Sequence, residues 1–345
     1  MIGVVLLNFG EPERATMEEV VPFLERIFMV NASLEGGVTP EQARARSREL
    51  AERRAPGLIE EYEMIGGSPL LSQAQAQADG LSAELERRGV AARVYVGMQF
   101  TSPSIPDAVA RARDDGVNAL VGLPVYPLAG PSTTVAALKA LEDATRRLGW
   151  DVPVHEVTGW HRHPQYLELR ADAIRTTLLE NGLDLADPGT KLVFSAHGTP
   201  VKYLKEGSRY DVYVREHCAA LATAVGAPDY VIGYQNHGNR PVEWTQPDID
   251  AVVKEIDAER IVVDPVSFMH EQSETLAELD HELREDAEAR GLGFYRVPIL
   301  HDDARFMSVL ADLVQAVTDG AGAGGGIALQ ACACRGGSAA CVAAS

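Results

Sequence analysis

The sequence predicts an α/β protein of two domains, each a parallel sheet covered by helices on both faces. Three observations predict it. Short apolar runs alternate with amphipathic stretches of helical length along most of the chain, the pattern of strand–helix–strand units. The runs, among them VVLL, LVGLP, LVFSA and IVVDP, are continuously apolar, as strands buried on both faces must be. At 345 residues the chain is also too long for one small domain.

Residues 3–8 read as the first strand, ending in Phe9-Gly10-Glu11-Pro12, a turn without the glycine pattern of a dinucleotide site. Residues 17–30 read as a helix whose Val20, Val21, Phe23, Leu24, Ile27 and Phe28 make a broad apolar face. That face continues into Met29 and Val30, as core packing or as the lip of an apolar ligand cleft. Residues 40–65 are a charged helical region broken at Pro56, with Arg53-Arg54 a basic pair in an acidic protein. Ser68 reads as an N-cap with Pro69 in the first turn. Helix 72–88, strand 92–97, helix 104–114, strand 118–123 and helix 133–147 follow, the last opened by Ser132-Thr133-Thr134 after a Tyr126-Pro127 turn.

A boundary is expected near Gly149 to Pro153, closing a first domain at 1–149. The second domain, 150–302, repeats the scheme with strands 153–157, 191–195, 229–233, 259–263 and 293–297. Its helices are 164–180, 208–225, 246–256 and 271–290. Helix 303–318 is expected to return to the first domain. GAGAGGG at 320–326 is a flexible linker inside a C-terminal extension, 319–345.

A net charge of −19 excludes a nucleic-acid partner, since no basic surface exists to release phosphate counterions. It suits a cytoplasmic enzyme handling cations or neutral molecules. No apolar run approaches the ~20 residues that cross a bilayer. MIGVVLLNFGEPE lacks the basic region and cleavage site of a signal peptide and reads as a buried strand. Cys218 stands alone, while Cys332, Cys334 and Cys341 crowd the last fourteen residues. That distribution favours metal or cluster ligation over disulfides.

Two stretches carry chemistry. In LVFSAHGTP (192–200) a buried strand opens into a tight loop at His197, on the sheet edge where open α/β proteins hold ligands. An imidazole there is a base titrating near neutrality, or a histidine bonded to loop backbone. In PVSFMHEQSETLAELD (265–280) the helical period puts Glu271, Glu274, Glu278, Glu282 and Glu285 on one stripe. A solvated face would give the same stripe. Like charges at i,i+4 repel, however, and the row starts on the rim of His197, as a path for a divalent cation would.

FSAHG (194–198) with ETLAELD (274–280) resembles the ferrochelatase family. LLNFGEPE (6–13), ERRAPGLIEEYEMIGGSPL (52–70), YVGMQF (95–100), YP with STT (126–134) and LADLV (310–314) extend the resemblance over residues 1–318. It implies two Rossmann-like, chelatase-type domains around a cleft that clamps a porphyrin. It implies insertion of Fe²⁺, a substrate, with release of two protons in haem biosynthesis. His197 matches the histidine beside the porphyrin nitrogens and Glu274 the glutamate facing it. Glu278 continues the acidic row and Glu271 matches an acidic position one turn earlier. Phe9, Met29, Arg53, Tyr126 and Phe268 are expected at the porphyrin.

The sequence departs from the family at Gln99, at Gln272 with His270 displaced toward the strand, and at 234–239, which replaces a tryptophan-containing segment. The apolar lip favours protoporphyrin IX over coproporphyrin III and leaves room for peripheral membrane contact near 20–30. A non-catalytic porphyrin or haem carrier of the same fold is the rival class. Some family members carry a [2Fe–2S] cluster on one internal cysteine and three in a C-terminal extension. With Pro131 at a place where some relatives have that cysteine, the resemblance implies Cys218, Cys332, Cys334 and Cys341 as ligands. A Cys₄ zinc site or a tail of free thiols is the alternative.

Overall fold

The first half is built outward from strand β1 (Ile2–Asn8). In the computed structural model, residues 1–31, 39–237 and 242–318 are described, with two short backbone strands beyond them. β1 pairs in parallel with β2 (Ala92–Met98) and β3 (Ala119–Pro124), and β3 with β4 (Val154–Glu156), in the order β2-β1-β3-β4. Val4 and Leu6 point to one face, Val5 and Leu7 to the other, and all four are fully buried. A strand covered on both sides has no polar face to alternate with, which is why VVLL shows no period of two.

Helices α3 (Leu70–Arg87) and α11 (Ala304–Thr318) cover the Val4 face, with Leu81, Leu85, Leu310 and Leu313 in one core. Helices α4 (Ile105–Asp114) and α5 (Ala136–Arg147) cover the other. α4 starts at a capping box in which Ser104 and Asp107 satisfy each other's backbone N–H groups. Between β1 and α3 lies a helical hairpin, α1 (Met17–Asn31) and α2 (Pro40–Met64). α2 runs unbroken through Pro56, where a break was expected. Ala51, Ala55, Leu58 and Tyr62 bury against Val20, Phe23, Leu24 and Phe28 of α1, and this packing offsets the hydrogen bond that proline removes.

The second sheet has the order β6-β5-β7-β8, from β5 (Thr190–His197), β6 (Tyr230–Gln235), β7 (Arg260–Pro265) and β8 (Gly293–Arg296), all parallel. Helices α6 (Pro164–Glu180) and α8 (Tyr210–Val225) cover one face, after a short α7 (Val201–Lys205). α9 (Ile249–Glu255), a wide helix Glu274–Leu283 and its continuation α10 (Arg284–Ala289) cover the other. The strand expected to open the second domain is β4, which hydrogen-bonds to β3 and completes the first sheet. α11 returns to the first half and also packs on α6. In the extension β9 (Leu329–Ala331) and β10 (Ala340–Val342) pair antiparallel.

Candidate active site

The carboxyl ends of β1, β3, β5 and β7 meet across a cleft of about 220 Å³ between the halves, the edge at which open α/β sheets bind ligands. The first half contributes an apolar wall. Phe9 follows β1 and stacks obliquely on Phe100, ring centroids 4.6 Å apart, and edge-on to Phe23 at 6.3 Å. Leu24, Ile27, Phe28 and Val30 of α1 and Leu58 of α2 extend the wall. Tyr126, just beyond β3, is buried with its hydroxyl accepting the Phe9 N–H at 2.6 Å. Gly10 turns the chain at φ +89°, and a Cβ there would lie 2.2 Å from Thr101 Oγ1, so no other residue fits.

The second half contributes imidazoles and carboxylates. His197 ends β5, its backbone fixed by N–H donation to Ser267 Oγ at 2.9 Å and by its carbonyl accepting Tyr210 Oη at 3.0 Å. Its Nδ1 lies 2.6 Å from the Gly198 carbonyl. A carbonyl only accepts, so Nδ1 carries the hydrogen and Nε2 presents its lone pair. Gly198 is obligatory, since a Cβ would lie 1.9 Å from Asn236 Oδ1. Nε2 faces His237 Nε2 at 3.1 Å, and with one lone pair already there His237 must donate. Burial, then repulsion from His237, lowers the His197 pKa to about 4. Burial also lowers His237 to about 4. Both imidazoles are neutral at physiological pH.

Glu274 opens the wide helix, its Oε2 accepting Gln272 Nε2 at 2.8 Å and Ser273 Oγ at 3.1 Å. One turn on, Glu278 Oε2 accepts Gln235 Nε2 at 2.8 Å while Oε1 lies 4.0 Å from His237 Nδ1. The helix bonds i to i+5, a geometry concentrated at functional sites. Its wider turn brings residues four apart closer to one line than the roughly 40° offset of an α-helix. Burial and the neighbouring Glu274 raise Glu278 to about 8.

Glu11 reaches over from the first half and is also raised, to about 7, by burial and then by Glu274. It accepts Ser273 Oγ at 2.5 Å and the Ser273 N–H at 3.3 Å, and Ser68 Oγ also donates to it. Ser68 thus serves Glu11 as well as the start of α3, where its Oγ accepts the Leu70 N–H at 3.2 Å. The N-cap position of α3 is Pro69, which makes no side-chain cap.

Of the residues expected here, Phe9, Tyr126, Phe268, His197, Glu274 and Glu278 all line the cleft. The others lie elsewhere. Glu271 precedes the wide helix, and its Oε1 accepts Arg296 Nη1 at 3.0 Å and the Ile299 N–H at 3.2 Å. Its charge is neutralised outside the acidic row. Met29 lies off the cleft, and Phe28 and Val30 take that place. Arg53 is exposed, whereas Arg54 lines the cleft and pairs with Glu61 at 3.1 Å. Most of the apolar face at 20–30 is spent on α2 and the cleft, although Val30 remains 46% exposed.

Of segment 234–239, residues 238 and 239 lie outside the described residues, His237 lines the cleft, and so does Trp244 further along the chain. Buried His270 bonds Gln77 Oε1 at 2.7 Å, and Gln77 Nε2 donates to the Met269 carbonyl at 2.8 Å, tying α3 to the second half. Gln99 donates to the Ser132 carbonyl at 3.0 Å. Sequence reasoning missed the roles of Glu11, His237 and Arg54. Glu11 follows a strand end just as His197 does, so the same rule was available to find it.

Cys218 does not fit a cluster. It is fully buried on α8 among Leu192, Phe194, Ala196 and Val262. Burial pushes its thiol far above the ordinary range, where a ligand must be a thiolate. Cys332 and Cys334 lie outside the described residues, and Cys341 lies in β10, described by its backbone alone.

The family model for ferrochelatase matches residues 1–318. A ferrochelatase of a Picosynechococcus species is 35% identical over 325 residues, covering 91% of this chain and 82% of that protein. One from a Synechocystis species is 34% identical over 327 residues, covering 91% and 81%. Among solved structures, SirB from Bacillus subtilis with Fe³⁺ superposes with a TM-score of 0.53 at 9% identity, over 92% of this chain and 96% of that one. CbiX, the terminal enzyme of sirohaem biosynthesis in denitrifying bacteria, gives 0.50 at 17%, over 72% and 94%. At such identities these two speak for the fold alone, a chelatase-type pair of parallel sheets. The length and identity of the sequence matches go further: the chain belongs to the ferrochelatase family.

Proposed function

We propose that this protein is a lyase that inserts Fe²⁺ into protoporphyrin IX, releasing two protons, in the cytoplasm. The observation that carries the reading is a single cleft with unlike walls, aromatic and aliphatic on one side and imidazole and carboxylate on the other. A flat apolar macrocycle fits against Phe9, Leu24, Ile27 and Phe28, with its nitrogens toward His197 and Glu274. His197 Nε2 already presents a lone pair and assists removal of a pyrrole proton. Glu274 takes part in that transfer and in guiding the metal, and Glu278 extends the path outward. Protoporphyrin is favoured over coproporphyrin because Arg54 is the one cationic side chain among the described cleft residues, and Glu61 already pairs with it.

Anaerobic turnover of Fe²⁺, or of Zn²⁺ followed by metalloporphyrin fluorescence, tests the reading. Protoporphyrin should be loaded with at least roughly tenfold higher kcat/KM than coproporphyrin III, a difference of about 1.4 kcal/mol. The opposite ranking would reassign the substrate, and binding without metal loading would make the protein a carrier.

A further inference from the structure

We propose that His237 joins His197 and Glu274 in a three-ligand site that holds a divalent transition-metal ion before the macrocycle enters. The proposal rests on the chelatase reading of the cleft and adds to it the order of events and a ligand. One donor atom from each of the three residues lies within 4.8 Å of the other two. With metal–nitrogen and metal–oxygen bonds of about 2.0–2.2 Å, neighbouring ligand atoms sit roughly 3 to 3.5 Å apart. The two imidazole Nε2 atoms already stand at 3.1 Å, so only the carboxylate must close in.

The protons can rearrange without leaving the site. His197 Nδ1–H stays on the Gly198 carbonyl, keeping the His197 Nε2 lone pair for the metal. His237 now donates through Nε2. Moving that hydrogen to Nδ1 frees the second Nε2 lone pair and turns the N–H toward Glu278 Oε1, 4.0 Å away. A carboxylate behind a ligating imidazole is the usual orienting partner, and Gln235 holds Glu278 in place at 2.8 Å. Two imidazoles and one carboxylate suit Fe²⁺, Co²⁺ and Zn²⁺ and reject Mg²⁺ and Ca²⁺, which prefer oxygen donors. With three protein ligands the metal keeps open positions toward the cleft, where pyrrole nitrogens would replace solvent, and as the metal passes to them the His197 Nε2 lone pair is released to accept a pyrrole proton.

Anaerobic titration of the full chain with Co²⁺, without porphyrin, tests this. The wild type should bind one Co²⁺ with visible absorption typical of mixed nitrogen and oxygen ligands, undisturbed by excess Mg²⁺. His237→Ala and His237→Phe should weaken binding by at least tenfold, and Glu278→Gln by about 10-fold or more. Quenching of tryptophan fluorescence by porphyrin serves as the check that each variant is folded. If both His237 variants bind Co²⁺ as the wild type does while Glu274→Gln does not, the third ligand is overturned and the chelatase reading stands. If His197→Ala and Glu274→Gln also leave binding unchanged, both the triad and the metal path through the cleft are overturned.

Discussion

The two halves share a strand order, one inner strand followed in sequence by an edge strand and then by the strand on its other side. They differ in what stands at the strand ends. The first half ends its strands in Phe9, Phe100 and Tyr126, the second in His197, His237 and Phe268 with Glu274 and Glu278 behind. Topology therefore places two rims face to face, and side chains alone divide them into one largely apolar wall and one that carries imidazoles and carboxylates. The first half also carries the α1–α2 hairpin between its first strand and α3, which widens the apolar wall. Glu11, Arg54 and Glu61 depart from the division as ionisable side chains of the apolar half that line the cleft, and Glu11 also hydrogen-bonds Ser273 of the other half.

The division breaks most visibly at His197. His197→Ala should lower kcat by about 10²-fold or more with porphyrin binding retained, and Glu274→Gln should be nearly as damaging. A His197→Ala enzyme turning over like the wild type in single-turnover mixing would dissolve the contrast between the walls. The next effect separates the substrates. Assayed above about pH 8, where Glu278 is ionised, Glu278→Gln should raise KM for metal by about tenfold and leave KM for porphyrin within about twofold, while Phe9→Ala should do the reverse. Equal shifts in both constants for Glu278→Gln would make the acidic row a solvated face.

Glu11 gives a pH-dependent effect on stability. Its carboxyl titrates near 7 in the folded protein against 4.5 as the ordinary value, so the unfolded chain loses that proton first. Stability from this group is complete below about pH 4.5 and is lost as pH rises through 7, by something on the order of 3 kcal/mol. Thermal melts should show Glu11→Gln gaining on the wild type between pH 5 and 8, and a constant difference across that range would count against the buried acid. The smallest effect is expected at Arg53. Being exposed, Arg53→Ala should leave melting and porphyrin KM unchanged within error, whereas Arg54→Ala should alter the porphyrin KM.

The fold was readable because buried parallel strands announce themselves as unbroken apolar runs, and β1, β5 and β7 could be seen at once. The placement of 153–157 was not, because which sheet a strand joins depends on its partner and a short edge strand carries no record of it. At the site His197 and Glu274 stood out as polar residues where apolar segments end. Glu271 misled because a helical stripe assumes a helix, and residue 271 precedes it and is claimed by Arg296, distant in sequence. Arg53 and Arg54 are adjacent, so only the rotation of α2 decides which one faces the cleft. Cys218 looked like an outlying ligand because one sequence cannot say whether a lone cysteine points inward.

The return of α11 to the first half also bears on how the chain is made. Val4 and Leu6 are covered on one face by Leu310, Leu313 and Val314, which leave the ribosome about 190 residues after β3 (314 − 124). At roughly 5–20 residues per second, that interval is about 10 to 40 s. Through it the first sheet has its strands but lacks part of its cover, while the second sheet can draw all its strands and helices from one continuous segment. The half with the apolar wall thus matures last, and during synthesis its uncovered face is the surface a chaperone would meet.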